Sequence, residues 1–149
     1  MADVTPQLPK TPWHLWIVGV LSLLWNMGGA FDFYMSETHN AAYLKNLTPA
    51  QLDYFNHFPL WAVVAWGIAT WGSVLGSLAL LARRRLAVGI FLTAIVAMVF
   101  TTLYNYVLSD GLKVMGQGAA PLVFCAIIWV VAFLLWFYAR AMRRRGVLR

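Results

Sequence analysis

Asp32 is the one acidic side chain placed within a long apolar stretch of this 149-residue chain. A carboxylate there is expensive to hold in hydrocarbon, which makes it a candidate for ligand or proton binding. Asn26 lies earlier in the same stretch, and Asn105, between Tyr104 and Tyr106, reaches a similar level in another. With Trp25, Tyr34 and Tyr104, these groups can line one outward-facing cavity. Rings pack against C–H faces while carboxylate and amide bind hydroxyls, a combination suited to a small sugar or polyol. Depth tempers that reading. Counted from Leu23 at the middle of its stretch, Asp32 lies about 13 Å toward one end at about 1.5 Å per residue, at the interface and not at mid-bilayer. A structural hydrogen bond serves equally well there, and buried amides in membrane helices usually bond another helix. The expected role of the cluster is to hold the first and third apolar stretches together, with a solute site as the alternative.

Other chemistry finds less support. Asp53 and His57 are four apart, so on a helix they share a face, and Glu37 and His39 are near in sequence. No zinc-type motif accompanies them, and no metal is expected. No His lies deep in an apolar stretch, so no haem or other cofactor is expected. There is no nucleophile elbow, no phosphate-cradling glycine loop followed by Lys, and no deep pair of carboxylates. A proton-coupled exporter of the small multidrug type needs a carboxylate near the middle of its first helix, where the nearest large polar group here is Asn26. The chain reads as non-enzymatic. Its single cysteine, Cys125, excludes an internal disulfide and is expected to pack.

The elements that position these groups follow from the charge pattern. The composition is 62% hydrophobic and 11% charged, against about 25% charged in a soluble domain. Lipid must be the solvent for most of the surface. Four apolar stretches stand out, at about residues 12–35, 59–82, 86–108 and 121–138. Each has the length of a membrane-spanning helix, and only helices or closed barrels satisfy their backbone in hydrocarbon. The fold class is therefore all-α, a polytopic four-transmembrane-helix bundle in a single membrane domain. The first stretch is too long for a signal peptide and lacks a small-residue cleavage site, so it reads as an uncleaved span.

Nine of the 11 basic residues fall on one side: Lys10, then Arg83, Arg84 and Arg85, then the five arginines from Arg140 onward. Lys45 and Lys113 fall on the other, together with Asp32, Glu37, Asp53 and Asp110. The positive-inside rule puts both termini in the cytoplasm. The arginines flank apolar spans, so their expected partners are anionic lipid head groups, at Arg83, Arg84, Arg85, Arg143, Arg144 and Arg145, and not nucleic acid.

On the opposite side, Thr48-Pro49-Ala50-Gln51 has the spacing of a capping box with Pro at the first helical position. It predicts a short surface helix, preceded by a helical turn near Thr38 to Leu44. The third connection, with Gly111, Gly116 and Gly118, predicts a flexible loop. Gly72 and Gly76, with Ser73 and Ser77, form a small-residue face that lets helix backbones approach closely, within the chain or between protomers. Gly28 and Gly29 offer the same in the first span. A homo-oligomer or a larger membrane complex is the partner these faces suggest.

Thr11-Pro12-Trp13-His14-Leu15-Trp16, then Gly19 to Asn26, Gly29-Ala30-Phe31-Asp32, Phe58-Pro59-Leu60-Trp61-Ala62, Trp66 and Trp71-Gly72 together resemble a family of small bacterial four-helix membrane proteins often labelled "sugar transporter". The resemblance covers most of Thr11 to Arg85. It implies a four-helix membrane fold in the bacterial inner membrane and carries over no functional residue.

The expected function is that of an accessory or interaction subunit of the inner membrane, with a sugar- or polyol-like solute transporter as the alternative. Orientation is directly testable. Alkaline phosphatase fused after Lys45 or Lys113 should be active, and fused after Arg84 or Arg149 inactive, with a cytoplasmic reporter giving the reverse pattern.

Overall fold

The computed structural model describes residues 10–116 and 119–149, so Gly118 of the third connection and Asp3 of the N-terminal tail lie outside the described residues. The elements are α1 (Trp13–Glu37), α2 (Ala41–Leu44), α3 (Pro49–Asn56), α4 (Leu60–Leu81), α5 (Leu86–Leu103), a π-helical turn (Tyr104–Leu108), α6 (Gly111–Val114) and α7 (Ala120–Arg144). Four helical segments, α1, α4, α5 with its π turn, and α7, are long and apolar enough to cross a membrane. The protein is a four-helix integral membrane bundle.

The short helices form a cap at one end. Thr48 and Gln51 make the reciprocal capping box: Gln51 N–H donates to Thr48 Oγ1 at 3.3 Å, and Thr48 N–H donates to Gln51 Oε1 at 3.0 Å. Asn40 caps α2 by accepting from Tyr43 N–H at 3.1 Å. The third connection is more ordered than its glycines suggest. The third span runs into the π turn, and the chain turns helical again at Gly111. A Cβ on Gly111 would collide with the carbonyl of Asn105 and the hydroxyl of Tyr54. This glycine permits a close backbone approach, which spacing alone does not distinguish from flexibility.

α4 is the hub. It packs most extensively on α5 and next on α1, while α7 rests mainly on α5. Gly72 lies against Ala94 of α5, and a Cβ on Gly76 would sit 2.7 Å from the ring of Phe91. The small-residue face of α4 is therefore occupied within the chain. Gly67 of α4 meets the ring of Phe33, and Gly19 of α1 meets Leu81. Gly28 has nothing near it, and Gly29 only reaches Thr70 at 3.8 Å. Neither brings α1 against another backbone here.

The arginine end is sealed. Leu15, Leu80 and Leu148 are fully buried in one cluster with Ala87, Phe91 and Ala139. α4 closes there with Arg84 N–H donating to Ala79 carbonyl at 2.8 Å, the wide turn of a Schellman motif, with Arg83 in the left-handed region at φ 54°. Gly146, at φ 71°, turns the chain after α7 and returns Val147 and Leu148 into the cluster. Two backbone bonds pin them: Arg149 N–H to Arg83 carbonyl at 2.7 Å and Arg85 N–H to Arg149 carbonyl at 2.9 Å. Arg83 also donates to Thr11 Oγ1 at 2.9 Å, so the start of α1, the α4–α5 turn and the residues after α7 share one end.

The two classes of glycine separate in a stability measurement. Gly76→Ala should cost about 1–3 kcal/mol through overpacking against Phe91. Gly28→Ala should be neutral or gain up to about 1 kcal/mol from helix propensity. Unfolding midpoints in detergent read both.

Candidate functional site

Between the sealed end and the cap, the helices enclose a cavity of about 900 Å³. All four spans contribute to its wall, Tyr43, Phe55 and Gly111 bring in the cap helices, and Phe58 adds the connection into α4. Its lining is mostly apolar and rich in rings, with polar groups at three levels.

The deepest polar group is Asn26. Its Nδ2 donates to Ser77 Oγ at 2.9 Å and to Ser73 carbonyl at 3.2 Å, both on α4. Ser77 Oγ donates onward to Ser73 carbonyl at 3.0 Å. Asn26 therefore ties the first span to the second. The expectation that the polar cluster joins the first and third spans is corrected: α4 stands between α1 and α5, and its two small-residue faces explain why it can. No hydrogen bond reaches Asn26 Oδ1 among the described residues.

At the middle level, Thr70 and Thr101 donate to carbonyls of their own helices. Trp129 Nε1 donates to Thr102 Oγ1 at 3.3 Å, the partner an interior indole requires. Asn105 is bonded on both sides. Its Nδ2 donates to Thr101 carbonyl at 2.9 Å, and its Oδ1 accepts from Tyr54 of the cap at 2.9 Å.

Asp32 lies at the cap level, where Tyr43 donates its hydroxyl to Oδ1 at 2.5 Å. That bond ties α2 back onto α1, and Tyr43 stacks edge-on against Phe31 with centroids 5.9 Å apart. The bond to Asp32 is the main reason the Tyr43 hydroxyl is pushed up to about 12, with burial and the carboxylate charge acting the same way. The phenol is bound more tightly to its proton when folded, so the tether is whole below pH 10 and is lost as pH rises through about 12. Asp32 is the only formally charged residue on the cavity wall among the described residues.

The structure thus brings Trp25, Asn26, Asp32 and Asn105 to one cavity. Tyr34 and Tyr104 are not part of it. Tyr34 is 56% exposed on the outer side of α1. Tyr104 packs against Phe58, with centroids 4.9 Å apart, and against Trp61 at 5.5 Å. It lines a separate cleft of about 440 Å³ with Tyr54, His57 and Asp110. Both were placed by level along their spans, but a helix presents only part of each turn to the interior. Sequence reasoning missed Tyr43, Phe55, Phe58 and Phe124. On a helix begun at Thr48, Phe55 falls three residues after Leu52 on one apolar face, a signal that could have found it. Nothing local pointed to Tyr43, because the chain reverses at His39, with φ 51°, before α2 begins.

Asp53 and His57 do meet, at 3.3 Å, but both side chains are 75% exposed. No third His, Cys, Asp or Glu joins them in a metal-sized cluster among the described residues. Surface pairs of this kind contribute about 0–1 kcal/mol. His14 bonds Tyr138 at 2.5 Å near the arginine end and joins α1 to α7 there. No protein-family description, curated protein or solved structure matches this chain.

The Asn26–Ser77 bond is the test of how α1 is held. A double-mutant cycle of Asn26→Leu and Ser77→Ala should give a coupling of about 0.5–1.5 kcal/mol, measured by reversible unfolding in mixed micelles.

Proposed function

We propose that this membrane protein binds a small organic solute from its cap side and serves in that solute's passage across the bacterial inner membrane. The observation that carries the reading is the cavity of about 900 Å³ to which all four spans and the cap contribute. Its volume lies in the range of small-molecule sites, about 300–1,000 Å³. Polar side chains inside it are few and fixed, as orienting groups in such sites are. The split of basic residues supports a cytoplasmic arginine end and an outward cap. In this arrangement the cavity meets the outer side, and the cluster around Leu15, Leu80 and Leu148 blocks the inner one. The likeness to small membrane proteins labelled "sugar transporter" agrees with this reading.

The accessory-subunit reading draws on a different observation. Only 11% of the most apolar window of α7 is buried, against 33% for α4 and for α5. A helix so lightly packed suits a face laid against a partner's helices.

One measurement separates the two. Purified protein should gain several degrees in unfolding midpoint with at least one member of a panel of sugars, polyols and small organic ions. Ala132→Trp, which fills the cavity wall, should abolish the gain. No stabilisation by any member, together with stoichiometric co-purification in a larger complex, would overturn the solute reading and establish the accessory one.

A further inference from the structure

The formal charge on the cavity wall is one-sided: Asp32 has no cationic counterpart there among the described residues. Both amide hydrogens of Asn26 and the hydroxyls of Thr70, Ser73 and Thr101 are engaged with protein acceptors, while Asn105 keeps a second amide hydrogen and the Thr102 hydroxyl, which accepts from Trp129, finds no acceptor among the described residues. What remains includes two unoccupied acceptors among the described residues: Asn26 Oδ1 and the Asp32 oxygen that Tyr43 does not use. One of the two carries formal charge. No Lys, Arg or His lines the cavity among the described residues, and neither of the two ion pairs found among them involves Asp32.

The rest of the wall is aromatic. Trp25 of α1 faces Phe124 of α7 with centroids 6.4 Å apart. Trp66 packs against Phe33, Phe55 and Phe58 below the cap. Ring faces attract cations, tryptophan most strongly, and do so best where water is excluded. A neutral polyol would bring several hydroxyl groups into a cavity that answers few of them, each at a desolvation cost. An anion would face the Asp32 carboxylate with no cation to offset it.

We propose that the cavity selects a monovalent organic cation with an apolar body, its charge at Asp32 and its body among the rings between α1, α4 and α7. This rests on the solute-binding reading and names the class of solute. The shared chemistry is an alkyl- or aryl-substituted onium group, carried either by a free organic cation or by an amine-bearing lipid head group.

The test uses full-length protein in neutral maltoside micelles with tetraphenylphosphonium as the probe. Tryptophan quenching and the unfolding midpoint should both report saturable binding, and neutral triphenylphosphine oxide should bind at least tenfold more weakly. Asp32→Asn should weaken the cation about tenfold, a value set by a partly solvated charge, and leave the neutral compound unchanged. Asp32→Glu should restore most of the affinity, which separates charge from fold. Added phosphatidylethanolamine that competes with the probe supports the cation site with a lipid source. Competition by free alkylammonium alone supports it with a soluble source. Equal binding of cation and neutral compound, or an unchanged cation affinity in Asp32→Asn, overturns the proposal while solute binding stands. Binding of neither compound, nor of any member of the wider panel, overturns both.

Discussion

Helices already in lipid gain little from burying one apolar surface against another, because hydrocarbon is as good a neighbour as leucine. What holds them is close approach, and close approach needs small residues at the contact. Here α4 holds most of them. Gly72 and Gly76 admit α5, Gly67 admits Phe33 of α1, and Ser73 and Ser77 receive the amide of Asn26. α1 and α5 dock on two sides of one helix. The fourth span has no comparable small-residue face, and it closes on α1 through long side chains, His14 with Tyr138 and Trp25 with Phe124. Large residues meeting without small counterparts leave space between backbones. The cavity is the direct outcome of that uneven distribution.

The same rule explains why the cap belongs to the fold. Asn105 near the cap end of the third span cannot leave its carbonyl bare, and Tyr54 of α3 supplies the donor. Tyr54 also meets Ser109 at 2.7 Å, so one phenol joins the surface helix to the π turn. Gly111 then lets α6 lie against that junction. The polar ends of the spans organise the connections, and the connections roof the cavity.

The spans were legible from hydropathy because lipid imposes one length and one secondary structure. The reading of 59–82 and 86–108 agrees closely with Leu60–Leu81 and Leu86–Leu108. The apolar stretch of the fourth span stops at about 138, yet its helix continues to Arg144. Apolarity marks where lipid ends, while a helix ends at its breaker, here Gly146. The capping box at Thr48 was legible for a similar reason, since its signal lies within four residues. The partners of individual side chains were not legible. Asn26 reaches Ser77 and Asp32 reaches Tyr43 through rotations about helix axes and a chain reversal, which leave no mark in a single sequence. Level along a span placed Trp25, Asn26, Asp32 and Asn105 on the cavity, but it also admitted Tyr34 and Tyr104, which face elsewhere.

The seating of Val147 and Leu148 has a bearing on how the molecule is made. Their socket is built by α1, the α4–α5 turn and the end of α7, but its occupants follow α7 in the chain. A membrane chain is inserted from its N-terminus as the ribosome elongates it. The part of the socket built by α1 and the α4–α5 turn is therefore made before its occupants are. The bundle cannot lock until α7 has crossed and the residues beyond Gly146 have cleared the exit tunnel. Completion of the arginine end is thereby a late, post-insertion step, timed by synthesis and not by the membrane.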